Sequence, residues 1–174
     1  IHFKTKMYDP NISEIYDSVF DNLSTVLTHY DPDSTIVIIV GDIFHNNLNL
    51  ESDTIVYAKN KITEIAKKFK VIMTSGNHDI AVKFPDRSDC ISAVFNGYEN
   101  IYCITKTGRY KLSNLIFDFQ DLFQSDKSIF DSLVKDINYC YIALYHGTVI
   151  GSKVGVINVE TTGELIARIA DDGV

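Results

Sequence analysis

Several features that would assign a protein to a particular class are missing from this chain of 174 residues. No apolar run approaches the roughly 20 residues that a helix needs to cross a bilayer, which argues against a membrane-spanning protein. No repeat, low-complexity tract or linker breaks the sequence. The three cysteines, Cys90, Cys103 and Cys140, form no Cys-x-x-Cys pair, which favours reduced thiols in an intracellular protein, either cytoplasmic or nuclear.

The chain also lacks an excess of basic residues, because its formal net charge is −7. This acidic balance argues against a surface that holds nucleic acid by electrostatic attraction alone. It leaves open a protein whose carboxylates gather around metal ions, because bound cations supply positive charge of their own. Hydrophobic residues make up 45% and charged residues 22%, and the length suits one globular domain with a real core.

What the chain does contain is an alternation of helical and strand-like segments, which indicates an α/β fold. Apolar positions with a 3.6-residue period predict helices at 12–27 and 52–69, the first beginning with a capping box from Asn11 to Glu14. The β-branched run 35–40 predicts a strand buried on both faces, which forms a parallel βαβ unit with the strand 71–73. The other predicted elements are helices at 88–95, 127–136 and 160–170, a hairpin within 101–119 around residues 107–109, and a buried strand at 139–145.

Polar residues follow three of these strands at the point where each one ends. The segments are Gly41-Asp42 after 35–40, Gly76-Asn77-His78-Asp79 after 71–73, and His146-Gly147 after 139–145. Because ligand groups in open α/β sheets gather at the carboxyl ends of strands, we expect these residues at one edge of one sheet. Carboxylate, amide and imidazole ligands without a thiolate suit Mn²⁺, Fe²⁺, Zn²⁺ or Mg²⁺, and two such ions can clamp a phosphate.

Each motif also has a purely structural interpretation. A Gly-Asp pair after a strand is commonly a turn, and a histidine at a strand end, such as His146, often serves the local structure only. The run Gly76-Asn77-His78-Asp79 is much rarer by chance. Because the three motifs occur together, in this order and each after an apolar strand, they favour a metal centre over three unrelated turns.

These motifs resemble the central motifs of the calcineurin-like metallophosphoesterases. The resemblance implies a sandwich of two mixed β-sheets flanked by helices, with two divalent ions, Mn²⁺ first and Fe²⁺, Zn²⁺ or Mg²⁺ as alternatives. It implies metal ligation by His2, Asp42, Asn77 and His146, with Asp42 shared by both ions. It assigns His78 to the phosphate as a transition-state donor or general acid. For Asp79 a structural hydrogen-bonding role is favoured.

The first and last motifs of that family are incomplete in this sequence. His2 resembles the histidine of an Asp-x-His motif whose aspartate and strand would precede Ile1, and the closing Gly-His-x-His motif is absent. We therefore expect residues 1–174 to be one metallophosphoesterase domain, cut at both ends. Such a piece would bind metal poorly by itself.

The residues that follow Asp42 narrow the resemblance further. Gly41-Asp42-Ile43-Phe44-His45 is similar to the SbcD-type nucleases, whereas the arginines found near these motifs in protein phosphatases are absent. This likeness implies a DNA exo- or endonuclease of repair or recombination, with DNA as substrate, an SMC-like ATPase subunit as partner and a homodimer as an allowed assembly. No membrane partner is expected. His45 would act beside the phosphate as a catalytic residue, unless it is a supporting or surface histidine.

Two other functions are compatible with the residues. One is a phosphoesterase of the same superfamily that acts on nucleotides or small phosphate esters. The uncut sequence would separate it from a nuclease, which should continue into a DNA-binding capping domain and an ATPase-docking segment. The other is a metal-free protein-interaction scaffold, which would be expected to have lost the ligand residues that this chain retains.

Overall fold

The structure, a computed structural model, describes residues 2–4, 7, 9–45, 49–80, 89–121 and 136–147, and the backbone of 153–154 and 157–158. The chain divides into two compact units, Ile1–Thr105 and Lys106–Val174. The architecture is the predicted α/β one, with two three-stranded sheets and flanking helices. The helices predicted at 127–136 and 160–170 lie outside the described residues, except for Asp136, which is not helical. In the described part of the chain, no helix is long and apolar enough to cross a membrane.

The first unit is built around a parallel sheet. Its elements are α1 (Pro10–Leu27), a 3₁₀ turn (Pro32–Ser34), β1 (Ile36–Val40), α2 (Ser52–Ala66), β2 (Lys70–Thr74), α3 (Cys90–Phe95) and β3 (Ile101–Ile104). The strand order is β1-β2-β3, and both neighbouring pairs are parallel. The predicted βαβ unit is therefore confirmed, because β1 pairs directly with β2 and α2 connects them.

Helix α1 begins two residues before its predicted start. Its N-cap is Asp9, whose carboxylate accepts a hydrogen bond of 3.0 Å from the backbone N–H of Asn11, and Pro10 occupies the first turn. The predicted capping box from Asn11 to Glu14 is therefore wrong. Proline suits the first helical position, because the N–H that it lacks would have no partner within the helix there.

Strand β2, and not β1, is the strand buried on both faces. Val71, Ile72 and Met73 are at most 1% exposed, whereas most of β1 is half-buried and Val40 is 38% exposed. The prediction for 35–40 is correct about the strand and wrong about its burial. A β-branched run indicates strand propensity, whereas burial depends on the place in the sheet, and β1 lies at one end of the described strand order.

All three helices of the first unit and one face of its sheet contribute to its core. Phe20 of α1 and Ile62 of α2 belong to the same buried cluster as Val71 of β2. Full burial of such a side chain stabilises the fold by about 1.5–3 kcal/mol. The core thereby fixes the carboxyl ends of β1 and β2 side by side, where the N–H of Gly41 donates to the carbonyl of Thr74 at 3.2 Å.

The second unit contains a mixed sheet. Its strands are β4 (Gly108–Leu112), β5 (Leu115–Gln120) and β6 (Cys140–Tyr145), in that order, followed by the short antiparallel pair β7 (Lys153–Val154) and β8 (Ile157–Asn158). β4 is antiparallel to β5, and β5 is parallel to β6. The strand predicted at 139–145 is confirmed as β6, but its predicted burial is wrong, because only Leu144 in it is fully buried.

The hairpin lies later in the chain than predicted. Residues 101–119 contain three strands rather than two, because β3 joins β2 in the first unit and the hairpin is β4–β5, turning at Ser113 and Asn114. Ser113 has φ 58°, the left-handed conformation that favoured two-residue hairpin turns require and that glycine or asparagine usually supplies. Gly108, the more conspicuous turn residue, is the first residue of β4.

Candidate active site

The loop after β1 makes a tight reversal that presents Asp42. Gly41 has φ 65° and Asp42 has φ 50°, so two successive residues adopt the left-handed conformation. Glycine does so without a steric penalty, and aspartate is among the residues that tolerate it. The chain then runs beside Phe3, whose N–H donates to the Ile43 carbonyl at 2.8 Å and whose carbonyl accepts from the His45 N–H at 2.9 Å.

The buried carboxylate of Asp79 joins this loop to the loop after β2. Asp79 is 0% exposed, and its oxygens accept hydrogen bonds from the backbone N–H groups of Ile43 at 3.0 and 3.2 Å, Phe44 at 2.9 Å and Gly76 at 2.9 Å. Burial raises the pKa of Asp79, and the three backbone donors oppose that rise. The predicted hydrogen-bonding role of Asp79 is confirmed.

Three imidazoles converge beside Asp42. The ring nitrogens that His2, His45 and His78 offer all lie within 4.8 Å of one another. Nδ1 of His45 is 3.2 Å from Nε2 of His2, so one of these nitrogens carries a hydrogen and the other accepts it. The backbone N–H of His78 donates to Oδ1 of Asp42 at 3.1 Å, which joins the two loops a second time.

The hydrogen bond of His78 determines its tautomer. Its Nδ1 lies 2.8 Å from the backbone carbonyl of His45, and a carbonyl oxygen can only accept, so Nδ1 carries the hydrogen. Nε2 is therefore the nitrogen of His78 that remains for a ligand or for proton transfer. Partial burial lowers the pKa of His2 and the adjacent His78 lowers it further, which favours the neutral imidazole that metal ions bind.

The donor set at this edge fits a divalent metal ion. Imidazole nitrogens within 4.8 Å of one another stand next to a carboxylate, with an amide side chain, Asn77, in the same loop as His78. Nitrogen and oxygen donors of this kind suit the first-row divalent ions. Hydrogen bonds to Asp79 and the backbone pairing of Phe3 fix the loops that carry these side chains.

The structure brings together four of the predicted site residues. The carboxyl ends of β1 and β2 bring together His2, Asp42, His45 and His78. Asn77 is exposed and lies in the same loop, between Gly76, whose N–H bonds to Asp79, and His78. His146 directly follows β6 in the second unit and is half-buried. Its role as a ligand stays a prediction, as do the separate roles of the other five.

The mutual contact of the histidines has no signal in the sequence. His2 and His45 are 43 positions apart, and His78 is another 33 positions beyond His45. The sequence interpretation puts His45 and His78 beside the same phosphate and His2 on a metal ion, but it gives no direct contact between their rings. Only the reversal at Gly41 and Asp42, which returns the chain beside Phe3, makes them neighbours.

Comparison with known proteins agrees with this geometry. The profile of the calcineurin-like phosphoesterase family matches residues 1–165. The chain belongs to this family. An uncharacterized protein of Acanthamoeba polyphaga mimivirus is 25% identical over 166 residues, which cover 90% of this chain and 12% of the viral protein. The chain thus spans a small part of the length of that relative.

Family membership sets the general chemistry. Calcineurin-like phosphoesterases are metal-dependent hydrolases of phosphate esters and normally bind two divalent ions. Within the residues that the structure describes, the cluster of His2, His45 and His78 next to Asp42 fits such ions.

Proposed function

We propose that this protein is a two-metal phosphodiesterase that cleaves DNA. The observation that carries the proposal is the convergence of His2, His45 and His78 beside Asp42, on loops that hydrogen bonds to Asp79 hold together. A metal-free interaction scaffold would gain nothing from three imidazoles within ligand distance of one another. When bound, two divalent ions supply polarisation of the phosphate and an activated water.

The residues of the chain have distinct tasks in this proposal. His2, Asp42, Asn77 and His146 would hold the ions, and Asp42 would serve as a ligand to both. His78 acts in its doubly protonated form: the hydrogen on Nδ1 stays bonded to the His45 carbonyl, which fixes the ring, and the proton on Nε2 passes to the leaving oxygen. The ring of His45 is exposed and stacks on that of His78 with an interplanar angle of 15°, so it can contact a phosphate on the same side.

The preference for DNA over a small ester rests on the segment from Gly41 to His45. Its likeness to the SbcD-type nucleases supports a nuclease, with Mn²⁺ as the ion and an SMC-like ATPase as partner, and a homodimer is an allowed assembly. The net charge of −7 opposes binding of DNA by the bare protein. Two bound ions would add four positive charges at the site, which offsets this repulsion locally.

Two substitutions in the full-length protein test the metal site. Asp42→Asn keeps a residue that tolerates the left-handed conformation but removes the shared negative ligand, so we expect loss of both ions and of hydrolysis. His78→Ala should keep both ions and lose ~10²–10⁴-fold in rate. Metal content by mass spectrometry, together with cleavage of end-labelled duplex DNA and of bis-p-nitrophenyl phosphate, measures both effects.

A matched control is His29→Ala, because His29 is an exposed histidine just beyond α1. It should change neither metal content nor rate. Equal metal loss in His78→Ala and Asp42→Asn would make His78 a ligand and contradict its role as the acid. Hydrolysis of the small ester without cleavage of DNA would identify a small-ester phosphoesterase instead of a nuclease.

A further inference from the structure

The segment that carries His2 is bonded to its neighbours along two edges. On one edge, Phe3 pairs with the loop after β1 through its own N–H and carbonyl, in an isolated parallel bridge to Phe44. This bridge uses both backbone groups of residue 3. The carbonyl of residue 2 and the N–H of residue 4 point to the opposite edge, as alternation along an extended chain requires.

On that opposite edge a single side chain bonds to both groups. The hydroxyl of Tyr16, on α1, donates to the carbonyl of His2 and accepts a hydrogen bond of 3.1 Å from the N–H of Lys4. One phenol thus performs the two hydrogen bonds that a neighbouring strand would make. In the sequence, Tyr16 is one member of the apolar stripe of α1, and its spacing gives no sign of this second task.

Aromatic packing holds Tyr16 in position. Its ring centroid is 5.2 Å from that of Phe3, which is 1% exposed, and 6.4 Å from that of Tyr57 on α2. The ring of Tyr57 also packs on Phe3, with 6.0 Å between the ring centroids, but its hydroxyl donates to Asp17 at 2.6 Å. Two tyrosines of the same cluster therefore use their hydroxyl groups for different purposes, which provides a matched comparison.

We propose that Tyr16 is a positioning residue for the metal centre. It fixes the backbone of residues 2–4 through its hydroxyl and thereby holds the imidazole of His2 next to His45 and His78. The proposal rests on the proposed function, because it assigns Tyr16 to the same site. Tyr16 touches neither the ions nor the substrate, so its effect is on affinity for metal rather than on the chemical step.

The expected effect of removing the hydroxyl follows from its place outside the ligand set. Loss of a group that orients a metal ligand typically lowers metal affinity ~10–100-fold. The contact with Lys4 is exposed and the contact with His2 is partly buried, so water can replace some of the lost bonding. We therefore expect Tyr16→Phe to weaken Mn²⁺ binding by about tenfold, the low end of that range.

The experiment compares Tyr16→Phe with Tyr57→Phe in the full-length protein. Both remove one hydroxyl from the same aromatic cluster, so both should lower the unfolding midpoint slightly. Only Tyr16→Phe should weaken Mn²⁺ binding, followed by the electron paramagnetic resonance signal of the free ion. Equal Mn²⁺ affinity in wild-type and Tyr16→Phe protein, or an equal loss in both variants, overturns the proposal.

Amide hydrogen exchange provides a readout that needs no metal. In Tyr16→Phe the N–H of Lys4 loses its acceptor and should exchange faster, while the N–H of Phe3 keeps its bond to Ile43 and its protection. Tyr57→Phe should leave both unchanged. If the wild-type protein binds no Mn²⁺, the proposed function fails. In that case faster exchange at Lys4 still supports the positioning of His2 by Tyr16, and unchanged exchange overturns it.

Discussion

At the scale of single residues, Asp79 is the residue that joins the loop after β1 to the loop after β2. Its carboxylate is buried and accepts hydrogen bonds from three backbone N–H groups of two loops. Asp79→Asn keeps the size of the side chain but replaces one acceptor oxygen with an N–H₂ group, which would face a backbone donor. We expect a loss of about 2 kcal/mol or more in the free energy of unfolding, measured by urea denaturation.

The control for this change is Asp33→Asn, which removes the same charge at an exposed position. It should alter the free energy of unfolding by less than about 0.5 kcal/mol. A similarly small effect of Asp79→Asn would mean that the hydrogen bonds to Ile43, Phe44 and Gly76 contribute little. The two loops would then have to be held by the hydrogen bonds of His78 to Asp42 and to the His45 carbonyl instead.

Some roles of the site residues could be predicted from the sequence, and others could not, because they depend on contacts between distant residues. A hydrogen-bonding role of Asp79 was predictable, because it directly follows the candidate site residues Asn77 and His78, and a carboxylate in such a turn commonly accepts backbone hydrogen bonds. Its bonds to Ile43 and Phe44, 36 and 35 positions away, were not predictable. The hydrogen-bonding role of Tyr16 could not be predicted, because packing on the apolar face of α1 is sufficient reason for a tyrosine at this position. The contact of His45 with His2 was equally hidden, because it depends on a loop reversal at two residues with positive φ.

At the scale of elements, α1 and α2 are joined by a bridge of three side chains. Asp17 of α1 accepts a hydrogen bond from Tyr57 and pairs with Lys61, both on α2 and both at 2.6 Å. The hydrogen bond from Lys61 is the main reason why the pKa of Asp17 is lowered, and the hydrogen bond from Tyr57 lowers it further. Burial, followed by the hydrogen bond to Asp17, raises the pKa of Tyr57.

The pH dependence of this bridge follows from the lowered pKa of Asp17. Because the folded state favours the carboxylate, the bridge stabilises the protein above the ordinary pKa of 3.8 and loses its effect as the pH falls through the lower, folded value. Asp17→Asn should therefore destabilise by less than about 1 kcal/mol at pH 7, since Asp17 is 45% exposed, and by nothing in strong acid. Urea denaturation of both proteins from pH 2 to 7 measures the difference.

Salt provides the check on that prediction. A partly exposed ion pair is screened, so the difference at pH 7 should shrink in 1 M NaCl, where the Debye length is about 3 Å. A difference that persists unchanged at low pH and in high salt would show that the Asp17→Asn substitution disturbs the packing of α1, rather than the charge pairing with Lys61.

The elements themselves were predictable to the extent that they depend on periodicity. The stripes of α1 and α2 and the apolar runs of β1 and β2 are local patterns, and these elements occur where the patterns indicate. The errors concern relations between elements. The β-branched run of β1 does not indicate where β1 lies in the strand order. Glycine at position 108 suggests a turn there, whereas the hairpin turns at Ser113, a residue type less typical of positive φ.

At the scale of the whole molecule, the candidate ligands are distributed over both units. His2, Asp42 and Asn77 belong to Ile1–Thr105, and His146 follows β6 in Lys106–Val174. The alternation of helices and strands predicted the fold class, and the family match over residues 1–165 agrees with it. The prediction that His146 lies at one edge of the same sheet as Asp42 and Asn77 is wrong, because β6 belongs to the sheet β4-β5-β6. The ligand role of His146 stays a prediction.

Metal-dependent stability tests that role in the full-length protein. An ion that binds only the folded state stabilises it by about 2.7 kcal/mol at a free concentration 100 times its dissociation constant, so Mn²⁺ should raise the melting temperature of the wild-type protein. If His146 is a ligand, His146→Ala should lose most of this rise while its melting temperature without metal stays similar. His29→Ala, an exposed histidine in the other unit, should keep the full rise. A His146→Ala protein that Mn²⁺ stabilises as strongly as the wild type would remove His146 from the ligand set and limit the metal site to residues of the first unit.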